Sequence, residues 1–191
     1  MKRIVLASMA ALVSASASAA PVTYILDPSH TYPSFEADHM GGLSVWRGKF
    51  DKSSGKVVYD KDAKSGSIDV TVDMTSIDFG MPRLNGQAKS AEIFDVAKFP
   101  TATFTGKFTM FNGSSPTEAQ GTLTMHGVTK PVTLTINSFL CKQDPRTKEA
   151  VCGADASTAF DRSDFGVSFG KQYGFKQEVK LQIQVEGRPA G

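Results

Sequence analysis

This chain of 191 residues is poor in the side chains that most enzyme chemistry draws on: two cysteines, three histidines and one tryptophan. The histidines His30, His39 and His126 have no i, i+4 pair and no HExxH among them, so a metal centre is not expected. There is no GxSxG elbow for a serine nucleophile and no P-loop for a phosphate. Charge of one sign is also lacking. The 21 lysines and arginines face 19 acids, and Lys2 and Arg3 account for the difference. No basic patch stands out, which excludes nucleic acid as an expected partner. Long apolar runs are missing too: Ile4 to Val13 is too short to span a bilayer as a stable helix.

The ends show what is there. A basic start, that short apolar core and the small residues Ser14 to Ala20, with Ala17-Ser18-Ala19, have the layout of a secretory signal cleaved after Ala19. Residues 1–19 are read as the leader and 20–191 as one domain with no stable membrane anchor. An exported chain with two cysteines either side of a polar turn, Lys142 to Ala150, is expected to join Cys141 to Cys152.

Within the domain, apolar residues return at every second position. Ile68, Val70, Val72 and Met74 do so, then Ala102, Phe104, Gly106, Phe108 and Met110, then Val132, Leu134, Ile136, Ser138 and Leu140, and finally Val179, Leu181, Ile183 and Val185. Period two gives a strand one dry face and one wet face. Turn signals at Asp27-Pro28, Gly41-Gly42, Ser53-Ser54-Gly55, Lys64-Ser65-Gly66, Asn112-Gly113-Ser114 and His126-Gly127 separate ten expected strands: 22–27, 32–39, 44–51, 56–60, 67–75, 101–111, 117–125, 130–141, 152–161 and 177–187. Met81 to Pro100 breaks the rhythm. It reads as a short helix with Asn85 or Ser90 at its start and Pro100 as its stop. Ser163 to Phe175 holds Gly166, Gly170 and Gly174 among aromatics, a loop suited to lying across an opening.

Antiparallel strands that share one dry side either stack as a sandwich or close on themselves. About eight closed strands leave room for one slender ligand. The inward candidates are Phe35, Trp46, Phe50, Phe104, Phe108, Leu123, Met125, Ala154, Ala156 and Phe160. Their mixture of small and aromatic residues fits a lined cavity, and the pattern alone leaves that and a packed core equally open. His39 alternates in phase with Phe35 and Ala37, as either a hydrogen-bonded core histidine or a site residue. Arg162, between Asp161 and Asp164, suits either a surface ion pair or an anionic head group at a barrel mouth.

Several stretches resemble the YceI-like family. They are Tyr24 to Thr31, Phe35-Glu36-Ala37-Asp38-His39, Trp46 to Phe50, Ser90 to Asp95 with Phe99-Pro100 and Phe104, Gly121 to Val132, Asp161 to Gly166, and Glu178-Val179. The resemblance implies an all-β fold, an extended eight-stranded antiparallel lipocalin-like barrel with a short helical insertion. It implies a periplasmic protein, often a homodimer, that binds a polyisoprenoid or another long-chain lipid in an elongated pocket. It brings no cofactor and no enzymatic role. It turns His39 and Arg162 toward the pocket or its mouth. The expected ligand-binding set is then Phe35, His39, Trp46, Phe50, Phe94, Phe104, Phe108, Met125, Phe160, Arg162 and Phe165. The chain departs from the family after Arg83, where an acid and a histidine are usual and Asn85 and Gln87 stand here. Two other readings use the same residues: an enzyme with His39 and Asp38 or Asp27 acting on a lipid, and a pocketless interaction module.

Overall fold

The computed structural model describes residues 20–190; the expected leader, residues 1–19, lies outside them. All ten expected strands are present. In chain order they are β1 (Val22–Leu26), β2 (Tyr32–His39), β3 (Ser44–Phe50), β4 (Ser53–Asp60), β5 (Ser65–Asp73), β7 (Thr101–Asn112), β8 (Ser115–Met125), β9 (Val128–Gln143), β10 (Ala150–Asp161) and β11 (Glu178–Pro189). A two-residue strand, β6 (Ile77–Asp78), lies between β5 and β7. Every pairing is antiparallel, and β11 meets β1 to close the sheet.

The eleven strands form eight staves. β1 and β2 lie end to end along β11, with Leu26 opposite Gly187 and Tyr32 opposite Gln184. β3 and β4 likewise run along β2 and β1, and β5 and β6 along β4 and β3. The break between β1 and β2 has a local cause. The Asp27 carboxylate accepts from the amide and hydroxyl of Ser29, at 2.9 and 2.6 Å, and lies 3.0 Å from His30 Nδ1. Such an Asx turn offers the backbone an alternative to the ladder, and His30 serves the turn.

Three expectations are corrected. Alternation in β7 does not run on to Met110: the register against β8 slips on either side of it, and Met110 is exposed. Alternation in β9 does not run on through Ser138 and Leu140. The register slips between Asp155 and Ala156 of β10, and Asn137 is the extra residue of β9. Its amide donates to Asp155 at 2.7 Å and its carbonyl accepts from Ser157 at 3.2 Å. A bulge reverses which alternate residues face in, so Phe139 turns to the core and Leu140 is exposed. The helix, α1 (Pro82–Lys89), begins earlier than expected. Pro82 starts it because the first turn needs no N–H there. Asn85 is inside it, and Ser90 ends it with extended ψ. Asn85 instead ties α1 to β6, accepting from Phe79 N and donating to Asp78, both at 2.8 Å.

The buried side chains form two clusters along the barrel axis. One gathers Phe35, Phe50, Met74, Ile77, Met125, Phe165 and Val167 near α1. The other gathers Ala119, Ile136 and Ala156. Cys141 and Cys152 face each other across β9 and β10 with Cα atoms 4.0 Å apart and are joined, as expected. No helix of the described residues is long and apolar enough to cross a membrane.

Candidate functional site

The barrel is hollow. A cavity of about 430 Å³ sits at the α1 end. A second, of about 180 Å³, sits deeper. Pro33, Val72, Ala102, Leu123 and Leu181 line both, so the two meet at a neck. All ten inward candidates line one or the other. Of the expected site residues, Phe35, His39, Trp46, Phe50, Phe94, Met125, Phe160 and Arg162 line the larger cavity. Phe104 and Phe108 line the deeper one. Phe165 lines neither; it is wholly buried behind Phe160, ring centroids 5.2 Å apart.

Glycine makes room for the phenylalanines. Gly106 and Gly121 face each other across β7 and β8, and the Phe104 ring lies over both. Gly66 leaves space in the same way for Phe108. At the far end Tyr59 is buried, its ring meets Phe139 at 5.2 Å and Phe108 at 6.2 Å, and its hydroxyl donates to Ser114 O. The disulfide borders this end through Cys152.

The mouth is built by three segments: the β2–β3 hairpin, α1, and the loop 162–177. Arg83, Leu84, Gln87 and Ala88 lie on one face of α1 by their i, i+1, i+4, i+5 spacing and line the cavity. The Pro82 signal for a helix start was enough to find Arg83, which sequence reasoning missed. The glycine-rich loop lies across the opening as expected, bringing Val167, Phe169, Tyr173 and Phe175 to the wall. Gly166, Gly170 and Gly174 all take left-handed φ, near +80°, which lets so short a loop reverse three times.

Arg162 fastens that loop. Its Nη1 donates to Val167 O at 2.8 Å and its Nη2 to Phe169 O at 2.7 Å. The surface ion pair is not formed: among the described residues no carboxylate lies within salt-bridge distance of it. Burial pushes the guanidinium below its ordinary range, with Asp161 opposing; an arginine remains cationic all the same. Asp161 is instead the cap of the turn, accepting from Ser163 N at 2.7 Å. Asp38 holds the other end of the loop. Its carboxylate accepts from Lys176 N at 2.9 Å and Gly41 N at 2.8 Å. The Lys176 amide, foremost, holds that carboxyl below its usual value.

His39 stands edge-on to Trp46 and Phe175, centroids 5.1 and 5.2 Å apart, with Ser44 Oγ 3.2 Å from its Nδ1. Neither Asp27 nor Asp38 pairs with it, since both carboxylates are engaged in turns. His126 is the hairpin tip expected of it: it and Gly127 form the two-residue turn of β8–β9 with φ of 52° and 77°. Its Nδ1 lies 3.2 Å from Phe165 O. No group of three His, Cys, Asp or Glu among the described residues could hold a metal.

The polar groups of the cavity therefore gather at one end. His39, Arg83, Gln87, Arg162 and Tyr173 belong to the mouth chamber, while the deeper chamber is walled mainly by Val, Leu, Ile, Phe and Ala.

Known proteins resemble this chain in sequence and in fold. The chain is 30% identical to a UPF0312 protein of Vibrio cholerae, over 98% of both chains. It is 32% identical to protein YceI of Salmonella arizonae, over 94% of both. Among solved structures, Burkholderia cenocepacia BcnA superposes with a TM-score of 0.68 at 23% identity, covering 84% of this chain and 98% of that one. A polyisoprenoid binding domain from Saccharophagus degradans, implicated in plant cell wall breakdown, superposes with a TM-score of 0.63 at 15% identity, covering 88% and 99%. These two share the fold. The YceI-like domain family matches residues 24–187, nearly the whole barrel, and the chain belongs to that family.

Proposed function

We propose that this chain is exported, cleaved after Ala19, and acts in the periplasm as a binding or carrier protein for a polyisoprenoid or similar long-chain amphiphile. The observation that carries this reading is the polarity gradient of the tunnel. An amphiphile places its tail in the apolar deep chamber and its head among His39, Arg83, Gln87 and Arg162. Tail burial contributes roughly 0.8 kcal/mol per CH₂, so length supplies affinity and the few polar groups supply orientation. The name of the Saccharophagus degradans domain and the family membership support a lipid of this class.

Gln87 replaces the family's usual histidine, and its neutral amide lines the cavity where that ring would stand. Asn85, at the usual acid's position, is committed to β6. Relatives that keep the titratable pair are expected to prefer a different head. An enzymatic use of His39 gains no support, because no base or acid pairs with the imidazole.

Native mass spectrometry of the mature protein recovered from its own periplasm tests the reading. A co-purifying prenyl lipid, displaced by added prenyl quinone or prenyl alcohol, is the expected result. Lipid-free protein that also fails to take up either compound overturns it.

A further inference from the structure

The three segments that frame the mouth are together basic. Residues 40–46, 80–89 and 162–177 contain Arg83, Lys89, Arg162, Lys171 and Lys176 against one carboxylate, Asp164. The chain as a whole, less Lys2 and Arg3, is balanced at 19 basic and 19 acidic residues. The excess is thus concentrated at one end. Asp38, Asp78, Glu92, Asp161 and Glu178 lie beside these segments in the chain, and the carboxylates of Asp38, Asp78 and Asp161 are taken up by amides. Asp38 receives the amides of Gly41 and Lys176, and Asp78 receives Gly80 N and Asn85 Nδ2.

The same segments expose apolar side chains. Leu43 is 73% exposed, and Met40, Val45 and Met81 are also exposed. Tyr173 is 65% exposed yet lines the cavity, so apolar surface runs from the rim into the tunnel. The hairpin tip and the loop are one surface: a Cβ on Gly41 would touch Gly174 O at 3.1 Å. Apolar groups at a tip with an aromatic beside them and lysines and an arginine around them are the composition of an interfacial membrane contact.

We infer that the mouth of this barrel docks onto an anionic bilayer surface, with Leu43, Met40 and Tyr173 entering the headgroup layer and Arg83, Lys89, Lys171 and Lys176 meeting lipid phosphates. The inference rests for its purpose on the lipid-binding reading: a tail passing between tunnel and bilayer then never crosses water. The rim itself is an observation independent of that reading.

Flotation of the mature protein with vesicles tests it. One set contains equal parts phosphatidylethanolamine and phosphatidylglycerol, the other phosphatidylcholine alone. Binding to the anionic set, weakened by salt, is expected. Leu43→Asp and the double variant Lys171→Glu/Lys176→Glu should each lower it about tenfold or more. None of these three residues lines the cavity, so both variants should still take up a prenyl alcohol presented in detergent. That uptake also reports folding, and its loss in the wild type would count against the lipid-binding reading while leaving the vesicle result readable. No binding to either vesicle, or equal binding to both, overturns the inference. So does a wild-type dimer that Leu43→Asp converts to monomer without any vesicle binding, because the apolar rim then belongs to a second copy of the chain.

Discussion

The ring of Phe104 lies against Gly121 so closely that a Cβ there would stand 2.8 Å from its Cζ and 2.6 Å from the Cα of Gly106. The facing glycines are a floor on which the aromatic wall of the deep chamber rests. Gly121→Ala must displace backbone as well as ring, and is expected to destabilise the barrel by about 1–3 kcal/mol. Chemical denaturation of the variant against wild type measures this.

The link between Cys141 and Cys152 closes a loop of sequence separation 11. Constraint of the unfolded chain then contributes roughly 2–3 kcal/mol. The Cys141→Ser/Cys152→Ser variant should lose that amount in denaturant titrations. Its binding of short prenyl alcohols, which fit the mouth chamber, should persist, while long ones reach the deep chamber that Cys152 lines.

Arg162 is one cation holding two carbonyls. Arg162→Met removes both donors from the loop, and Arg162→Lys supplies a single point donor in place of a planar fork. Both should speed amide exchange over residues 167–176 and shorten ligand residence, with Met the more severe. Hydrogen-exchange mass spectrometry and a ligand-chase experiment read the two effects. Unchanged exchange would show that Asp38 alone secures the loop.

Ala102 lines both chambers and is buried. A larger side chain there should close the neck. Ala102→Phe is expected to keep short prenyl alcohols, which fit the mouth chamber, and to lose long ones. The missing affinity grows by roughly 0.8 kcal/mol for each CH₂ shut out. A binding series across chain lengths checks it, and a uniform loss at all lengths would argue for general damage to the barrel instead.

Acid sensitivity has a defined origin at the β1–β2 turn. The Ser29 hydroxyl and amide, followed by His30, lower Asp27 from 3.8 to about 2. The folded form binds its proton less readily than the unfolded chain does. The resulting stability is present in full above the unfolded value near 3.8 and is lost as pH falls through about 2. Asp27→Asn lacks this term. The stability gap between wild type and Asp27→Asn should therefore narrow between pH 4 and pH 2, as followed by thermal melts.

Strands were legible because period-two patterning over Ile68–Met74 or Val179–Val185 has no competing interpretation. The pattern failed at Phe139, where one added residue in β9 inverts the faces; a bulge leaves no mark in alternation until the partner strand is known. The site was legible wherever a residue reached the cavity from a regular strand, as Phe35, Trp46 and Phe160 do. It was harder to read in the loops. Phe165 sits in the same aromatic stretch as Phe169 and Phe175, yet a short helical turn sends it into the core. Arg162 was recognised as special for its charge, while the partners that occupy it are backbone carbonyls, which no sequence displays.

Tyr59 and Phe139 meet edge-on in the wall of the deeper chamber, away from the polar mouth, and that contrast gives the tunnel a direction. An amphiphile of the proposed kind goes in tail foremost and comes out head foremost. A receiving surface is then handed the polar end first, with the hydrocarbon following like a thread drawn from a sheath.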